Sequence, residues 1–309
     1  MAKSTREAYG EALAELGKTN ERIVVMDADL SGSTKTSTFK KAFPDRFYDF
    51  GIAEANMIDA AAGFAFSGYI PFASTFAMFG AGRAYEQIRN SVAYAKANVK
   101  LAFTHAGLSV GEDGGSHQAL EDISLMRGIP GMTVFVPCDA EEAKKAVAAA
   151  VEIDGPVYLR LSRPNTDAVT DADTPFIPGK ANVIRDGSDA AIFATGLMVT
   201  RAIKAAELLE AEGISAAVVN FHTIKPLDKE LIVKAARETG RIVTVEEHNI
   251  IGGLGEAVSA AVCEECPVPV TRIGVNDVFG HSGPAVDLLK EFGLSSDHIV
   301  EVVTGLLKK

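Results

Sequence analysis

The sequence predicts an α/β protein built on a mainly parallel sheet with helices on both faces, followed by a second, smaller unit of the same class. Three observations carry this. Short runs rich in β-branched residues alternate with longer helical runs along the chain, as parallel strands joined by helical crossovers require. The alternation breaks over 163–180, which holds three prolines, several Asp and Thr and little periodicity, and then restarts. The 309 residues are enough for two cores. The expected organisation is a first domain over 1–165, a linker over 166–185 and a second domain over 186–309.

In the first domain the expected strands are 22–27 (RIVVMD), 99–104 (VKLAFT), 133–137 (TVFVP) and 156–161 (PVYLRL). Helices are expected between them: 4–16 with Ser4 and Thr5 as capping candidates, an alanine-rich 54–66, an amphipathic 77–94, and 140–153 behind Asp139 as N-cap. The second domain repeats the pattern with strands 190–194, 215–221, 241–246 and 268–273 and helices 199–212, 229–238 and 255–264. A last helix is expected over 297–307.

Composition excludes several classes. The net charge of −11 argues against a nucleic-acid or anionic-membrane partner, because phosphate surfaces demand a basic face. No apolar run of 18 residues and no amino-terminal apolar run occurs, so neither a membrane span nor a signal peptide is expected, and the expected location is cytoplasmic. The three cysteines fit a reducing compartment. Cys263-Glu264-Glu265-Cys266 is a lone CxxC, which reads as free thiols rather than as a metal site, and no metal ligand is assigned to this chain.

Ligands of open α/β sheets bind beyond the carboxyl ends of the strands. The polar clusters that fall there are Asp27-Ala28-Asp29-Leu30-Ser31-Gly32-Ser33, the run from Thr104-His105-Ala106-Gly107 through Gly111-Glu112-Asp113-Gly114-Gly115-Ser116-His117-Gln118, and Ser162-Arg163-Pro164-Asn165. Two histidines and two acids in a glycine-rich stretch without helix or strand pattern point to a site, against the plainer reading of a long polar crossover loop. Glu54 stands among apolar neighbours after Phe43, Phe47, Tyr48 and Phe50. Poor solvation there favours a neutral, proton-donating carboxyl; the plainer reading is a glutamate placed to suit a helix N-terminus. Phe76 and Phe79, three apart in an expected helix, share a face that either packs the core or walls a flat heteroaromatic ring.

Taken in order, AEANM, STFAMF, THAGLSVGEDGGSHQ and LSRPN resemble the carboxy-terminal half of transketolase, and the whole chain looks like the carboxy-terminal subunit of a transketolase split over two genes. The resemblance implies a thiamine-diphosphate-binding fold: a pyrimidine-binding domain, then a transketolase carboxy-terminal domain. It implies a thiamine-diphosphate-dependent enzyme that moves a two-carbon ketol unit from a ketose phosphate to an aldose phosphate. By the resemblance, Glu54 meets N1′ of the aminopyrimidine, Phe76 and Phe79 pack on that ring, and Asp29 and Leu30 line the cofactor. His105, Asp113 and His117 contact sugar hydroxyls, the two histidines assisting proton transfers. Arg6, Ser33 and Arg163 anchor the sugar phosphate.

Two positions depart from the family pattern. The third aromatic common there, three positions after Phe79, is Gly82, with Tyr85 the candidate substitute. Ala55 follows Glu54 where many full-length transketolases have histidine. The Gly-Asp-Gly motif that holds Mg²⁺ and the diphosphate in the family does not occur; Glu112-Asp113-Gly114 and Arg185-Asp186-Gly187 lack the first glycine. The expectation is half an enzyme: Mg²⁺ ligands on a separate diphosphate-binding subunit, an α₂β₂ assembly, and a dimer of this chain within it. The rival readings are the β subunit of a 2-oxoacid dehydrogenase E1 component, a deoxyxylulose-phosphate synthase, and a non-catalytic partner that kept only the fold. Glu246-Glu247-His248-Asn249 and Gly252-Gly253-Leu254-Gly255 read as turn and interface chemistry.

Overall fold

The computed structural model describes residues 2–308. Its first sheet has seven strands in the order Thr223–Lys225, Thr133–Phe135, Val157–Arg160, Lys100–Thr104, Ile70–Phe76, Ile23–Asp27, Phe47–Asp49. All neighbours are parallel except the first pair. The central strands are buried on both faces, which is why they read as continuous apolar runs. The second sheet has five strands in the order Val270–Val275, Ile242–Asn249, Ala190–Ala194, Ala216–Asn220, Asn182–Arg185, the last antiparallel. The fold class is the one the sequence predicts.

Several elements differ from expectation. Ile70–Phe76 is a fully buried strand that Pro71 and the polar Ser74 and Thr75 disguise. The expected amphipathic helix over 77–94 is instead a chain of short turns: a wide π-type turn Phe79–Arg83, a helical turn Tyr85–Gln87 and a second π-type turn Ile88–Tyr94. Gly80 permits this course, since any side chain there would overlap the Phe103 ring. Phe76 therefore ends a strand and does not share a helix face with Phe79. Thr223–Lys225 lies in the second half of the sequence yet closes the edge of the first sheet. There Lys225 Nζ donates to the carbonyls of Arg127 and Ile129 at 2.9 and 2.6 Å.

The first helix runs Thr5–Thr19 and is started by a capping box: Ser4 Oγ accepts from the Glu7 N–H, and the Glu7 carboxylate accepts from the Ser4 N–H. Asp139 caps the helix Ala140–Glu152 as expected. One of three apolar core clusters runs from Met57, Ile58 and Phe103 through Val134 to Phe193, Phe221 and Leu254, so this part of the core is continuous between the two sheets.

Candidate active site

Three parallel strands end side by side, with Asp27 in register with Ser74 and Phe76 in register with Thr104. Their carboxyl ends deliver the first residues of the site. Past Thr104 the backbone turns through His105, which adopts a left-handed φ of +58°, a strained choice for a residue with a Cβ. The His105 ring stacks on Phe76 at 3.8 Å between centroids. Phe76 stacks on Phe79 at 5.7 Å, and the edge of His117 meets Phe79 at 5.1 Å. The four rings form one wall. The Phe76 and Phe79 rings meet through a strand end and a π-type turn, not through the shared helix face that their spacing predicts.

Glu54 opens the helix Glu54–Phe66 and is 4% exposed. Its surroundings are not purely apolar: Arg83 Nη1 lies 3.1 Å from Glu54 Oε1, and the Arg83 guanidinium lies over the Phe79 ring at 4.2 Å. Arg83 thus links the carboxylate to the wall. Sequence reasoning missed it; the available signal was a cation four positions after Phe79 on a turn that also carries Gly82. Tyr85, the candidate substitute for the missing aromatic, packs against the main core cluster.

Burial lowers the His105 pKa to about 3, and the nearby charges of Arg6, Arg163, His117 and Lys35 push in the same direction. The imidazole is therefore neutral at physiological pH. Its Nδ1 pairs with Thr104 Oγ1 at 2.8 Å.

Arg6 stands in the first turn of its helix. Its Nη1 donates to the Ser33 carbonyl at 2.8 Å and its Nε to the Arg163 carbonyl at 3.2 Å. Arg163 donates to the Val110 carbonyl and pairs with Glu112 at 3.2 Å. The structure thus brings Arg6, Ser33 and Arg163 together, with His105 within the field of both guanidiniums. Asp113 lies exposed at the end of the turn Leu108–Asp113, on the rim of this cluster.

Asp29 is exposed and takes a left-handed φ of +62°. Its N–H donates to Asp49 Oδ1 at 3.0 Å, and the N–H of the half-buried Leu30 donates to Asp27 Oδ1 at 2.6 Å. Asp27, buried below them, also accepts from Thr34 and Thr36. Burial raises the Asp27 pKa to about 6. Asp27 holds the turn that presents Asp29, Leu30 and Ser33. A cleft of about 610 Å³ lies elsewhere, lined by Pro164, Leu197 and Arg201 among others, and includes none of the wall residues. Among the described residues, no group of three or more His, Cys, Asp or Glu is placed to hold a metal ion. Nor, among the described residues, is any helix long and apolar enough to cross a membrane.

Residues 1–168 match the family model of the transketolase pyrimidine-binding domain, and residues 179–299 match that of the transketolase C-terminal domain. The chain belongs to the transketolase family. It is 49% identical over 310 residues to a putative transketolase C-terminal section of Methanocaldococcus jannaschii, covering 99% of this chain and 97% of that protein. It is 43% identical over 295 residues to the 6-deoxy-6-sulfo-D-fructose transketolase subunit SqwH of a Clostridium strain, covering 96% and 92%. Human transketolase is 44% identical, but the match takes 99% of this chain and only 49% of the human protein. A solved structure described as a split gene transketolase, inactive β4 tetramer, superposes with a TM-score of 0.92 at 52% identity, covering 100% of this chain and 99% of that one. The resemblance to the carboxy-terminal subunit of a split transketolase is thereby borne out, and so is the fold class.

Proposed function

We propose that this chain is the pyrimidine-side subunit of a thiamine-diphosphate-dependent transketolase, completed by a separate diphosphate-binding subunit in an α₂β₂ assembly. Its substrates in this reading are a ketose phosphate donor and an aldose phosphate acceptor. The observation that carries it is the juxtaposition of a buried carboxylate, Glu54, with a wall of three stacked rings and the edge-on ring of His117. A flat aminopyrimidine needs an apolar face and one hydrogen-bonding carboxyl at its edge, and Phe76, Phe79 and Glu54 fit those needs. Asp29 and Leu30 stand at the adjacent strand end. When bound, the thiamine group supplies the electron sink for cleavage next to a carbonyl. Glu54 places its carboxylate at the pyrimidine edge as a hydrogen-bonding partner, and Arg83 keeps it oriented. His105 and His117 face the sugar hydroxyls and help their proton transfers in this reading, with Asp113 at the rim. Arg6, Ser33 and Arg163 receive the anionic end of the sugar, arginine forks being suited to tetrahedral oxyanions.

The relation to a sulfofructose transketolase subunit gives the anionic end two candidate chemistries, phosphate and sulfonate, which the same guanidiniums would hold. The partner supplies the Mg²⁺ ligands in this reading. Tyr48, Ile52, Phe66 and Tyr69 are exposed around the helix that starts with Glu54, and an apolar surface of this kind suits a protein contact. Calorimetry with Mg²⁺ and thiamine diphosphate, on the chain alone and mixed with a diphosphate-binding transketolase chain, tests the reading. Weak binding and no turnover alone, with cofactor-dependent ketol transfer in the mixture, are expected. Glu54→Gln in the mixture should lower turnover by about 10²–10⁴-fold. Micromolar binding with turnover by the chain alone would overturn the half-enzyme reading.

A further inference from the structure

The Glu247 side chain starts on the strand Ile242–Asn249 of the second sheet and ends in the loop that carries His105. It is buried, and its Oε1 accepts the Ser109 N–H at 2.5 Å. Gly107 lies against the same carboxyl: a Cβ there would overlap it, and the φ of +81° favours glycine as well. The backbone of Glu247 is fixed in turn, since Arg160 Nη2 donates to its carbonyl at 3.0 Å while Nε of the same guanidinium grips the buried Asp122 at 2.7 Å.

The loop needs such a hold. His105 keeps a left-handed conformation that a non-glycine residue retains only when its surroundings enforce it. Gly107, Gly111 and Gly114, all at positive φ, follow within nine residues and loosen the chain. The Gly107 N–H is held by the Ala119 carbonyl at 2.9 Å. Two residues on, Glu247 holds Ser109 from the other side of the molecule. Burial pushes the Glu247 carboxyl above its usual range, with Arg160 and the Ser109 N–H working against that rise. An oxygen that accepts from Ser109 is present in either protonation state.

We propose that Glu247 is a positioning residue for the sugar-side loop: its carboxyl, delivered from the second sheet, fixes Ser109 and so keeps His105 stacked on Phe76. The proposal rests on the reading of 105–118 as the sugar-side wall, and its test separates the two. Glu247→Gln keeps the acceptor and removes the charge; Glu247→Met keeps the volume and removes both. Amide hydrogen exchange on the chain alone should show 105–111 opening about 10-fold faster in Glu247→Met, with 23–27 unchanged, and wild-type exchange in Glu247→Gln. In the complex with the diphosphate-binding chain, Glu247→Met should lose kcat by up to about 10²-fold at unchanged cofactor affinity, as a displaced catalytic group does, and Glu247→Gln should restore it. Equal behaviour of the two variants, or acceleration spread over 23–27 as well, would overturn the proposal. Should Glu247→Met not fold, the wild-type Ser109 amide decides: protection like that of 100–104 is expected, and an unprotected rate refutes the hold. Expected exchange without ketol transfer in the complex would fail the functional reading and leave the positioning role standing.

Discussion

His105 offers the sharpest physical test of the site. It is 3% exposed, and burial together with Arg6, Arg163, His117 and Lys35 brings its pKa from the ordinary 6.5 to about 3. A lowered folded pKa means that the unfolded chain binds the proton first. The associated stability is whole above pH 6.5 and is lost as the pH falls toward 3. At 1.36 kcal/mol per pKa unit the total is about 5 kcal/mol, of which about 2 kcal/mol is lost between pH 7 and pH 5. Other groups titrate in that window, Asp27 in the opposite sense because its folded pKa is raised to about 6. The comparison therefore needs a variant that lacks only the imidazole. His105→Asn serves, because asparagine tolerates a left-handed φ better than most residues. Chemical denaturation of both proteins at pH 7 and pH 5 should show the wild type losing about 2 kcal/mol more than the variant. Histidine-selective NMR should find the His105 ring neutral at pH 5. A ring that titrates near 6.5, or identical pH dependence in the two proteins, would refute the account of a desolvated neutral imidazole.

The remaining predictions concern charge. In the reconstituted enzyme, Arg6→Ala and Arg163→Ala should each cost kcat/KM for acceptors with an anionic end about 1.5–3 kcal/mol, roughly 10–100-fold, and much less for uncharged sugars. Running phosphate and sulfonate sugars in parallel tells which oxyanion the pair prefers, and equal losses on charged and uncharged sugars would make both arginines structural. Asp122 is fully buried; burial opposes its charge, but Arg160 holds its pKa below the usual carboxylate value. Asp122→Ala strands a buried guanidinium and should destabilise the fold by about 3–5 kcal/mol in urea titrations.

Much of this molecule was legible in its sequence, where local chemistry and tertiary role coincide. The strands at 23–27, 100–104, 157–160 and 190–194 are buried on both faces and show it as unbroken apolar runs. Ser4 and Asp139 announce their helices because a cap is a local interaction. The strand Ile70–Phe76 was missed because Pro71, Ser74 and Thr75 interrupt its apolar pattern, although the fold buries all three and Tyr9 Oη meets Ser74 Oγ at 2.6 Å. The π-type turns after Met78 look amphipathic in sequence and depend on Gly80 fitting against Phe103. At the site, Glu54, Phe76, Phe79, His105 and His117 stood out in the sequence by residue type and local pattern, and the fold brings the rings of the last four together. Arg83 and Glu247 were not, because each acts across a distance in sequence, 29 residues to Glu54 and 138 residues to Ser109, which only the fold closes.

The proline-bearing stretch after Arg163 looks like the natural place to cut this polypeptide, and the first sheet says otherwise. A fragment ending there would lose Thr223–Lys225 and bare the backbone donors and acceptors of Thr133–Phe135 along one margin of the sheet. It would also free the Arg127 and Ile129 carbonyls that Lys225 now occupies. An unpaired strand whose Val134 and Phe135 are buried in the intact chain is a template for intermolecular pairing. The late strand thus closes an edge that the early sheet, by itself, would leave open to other chains.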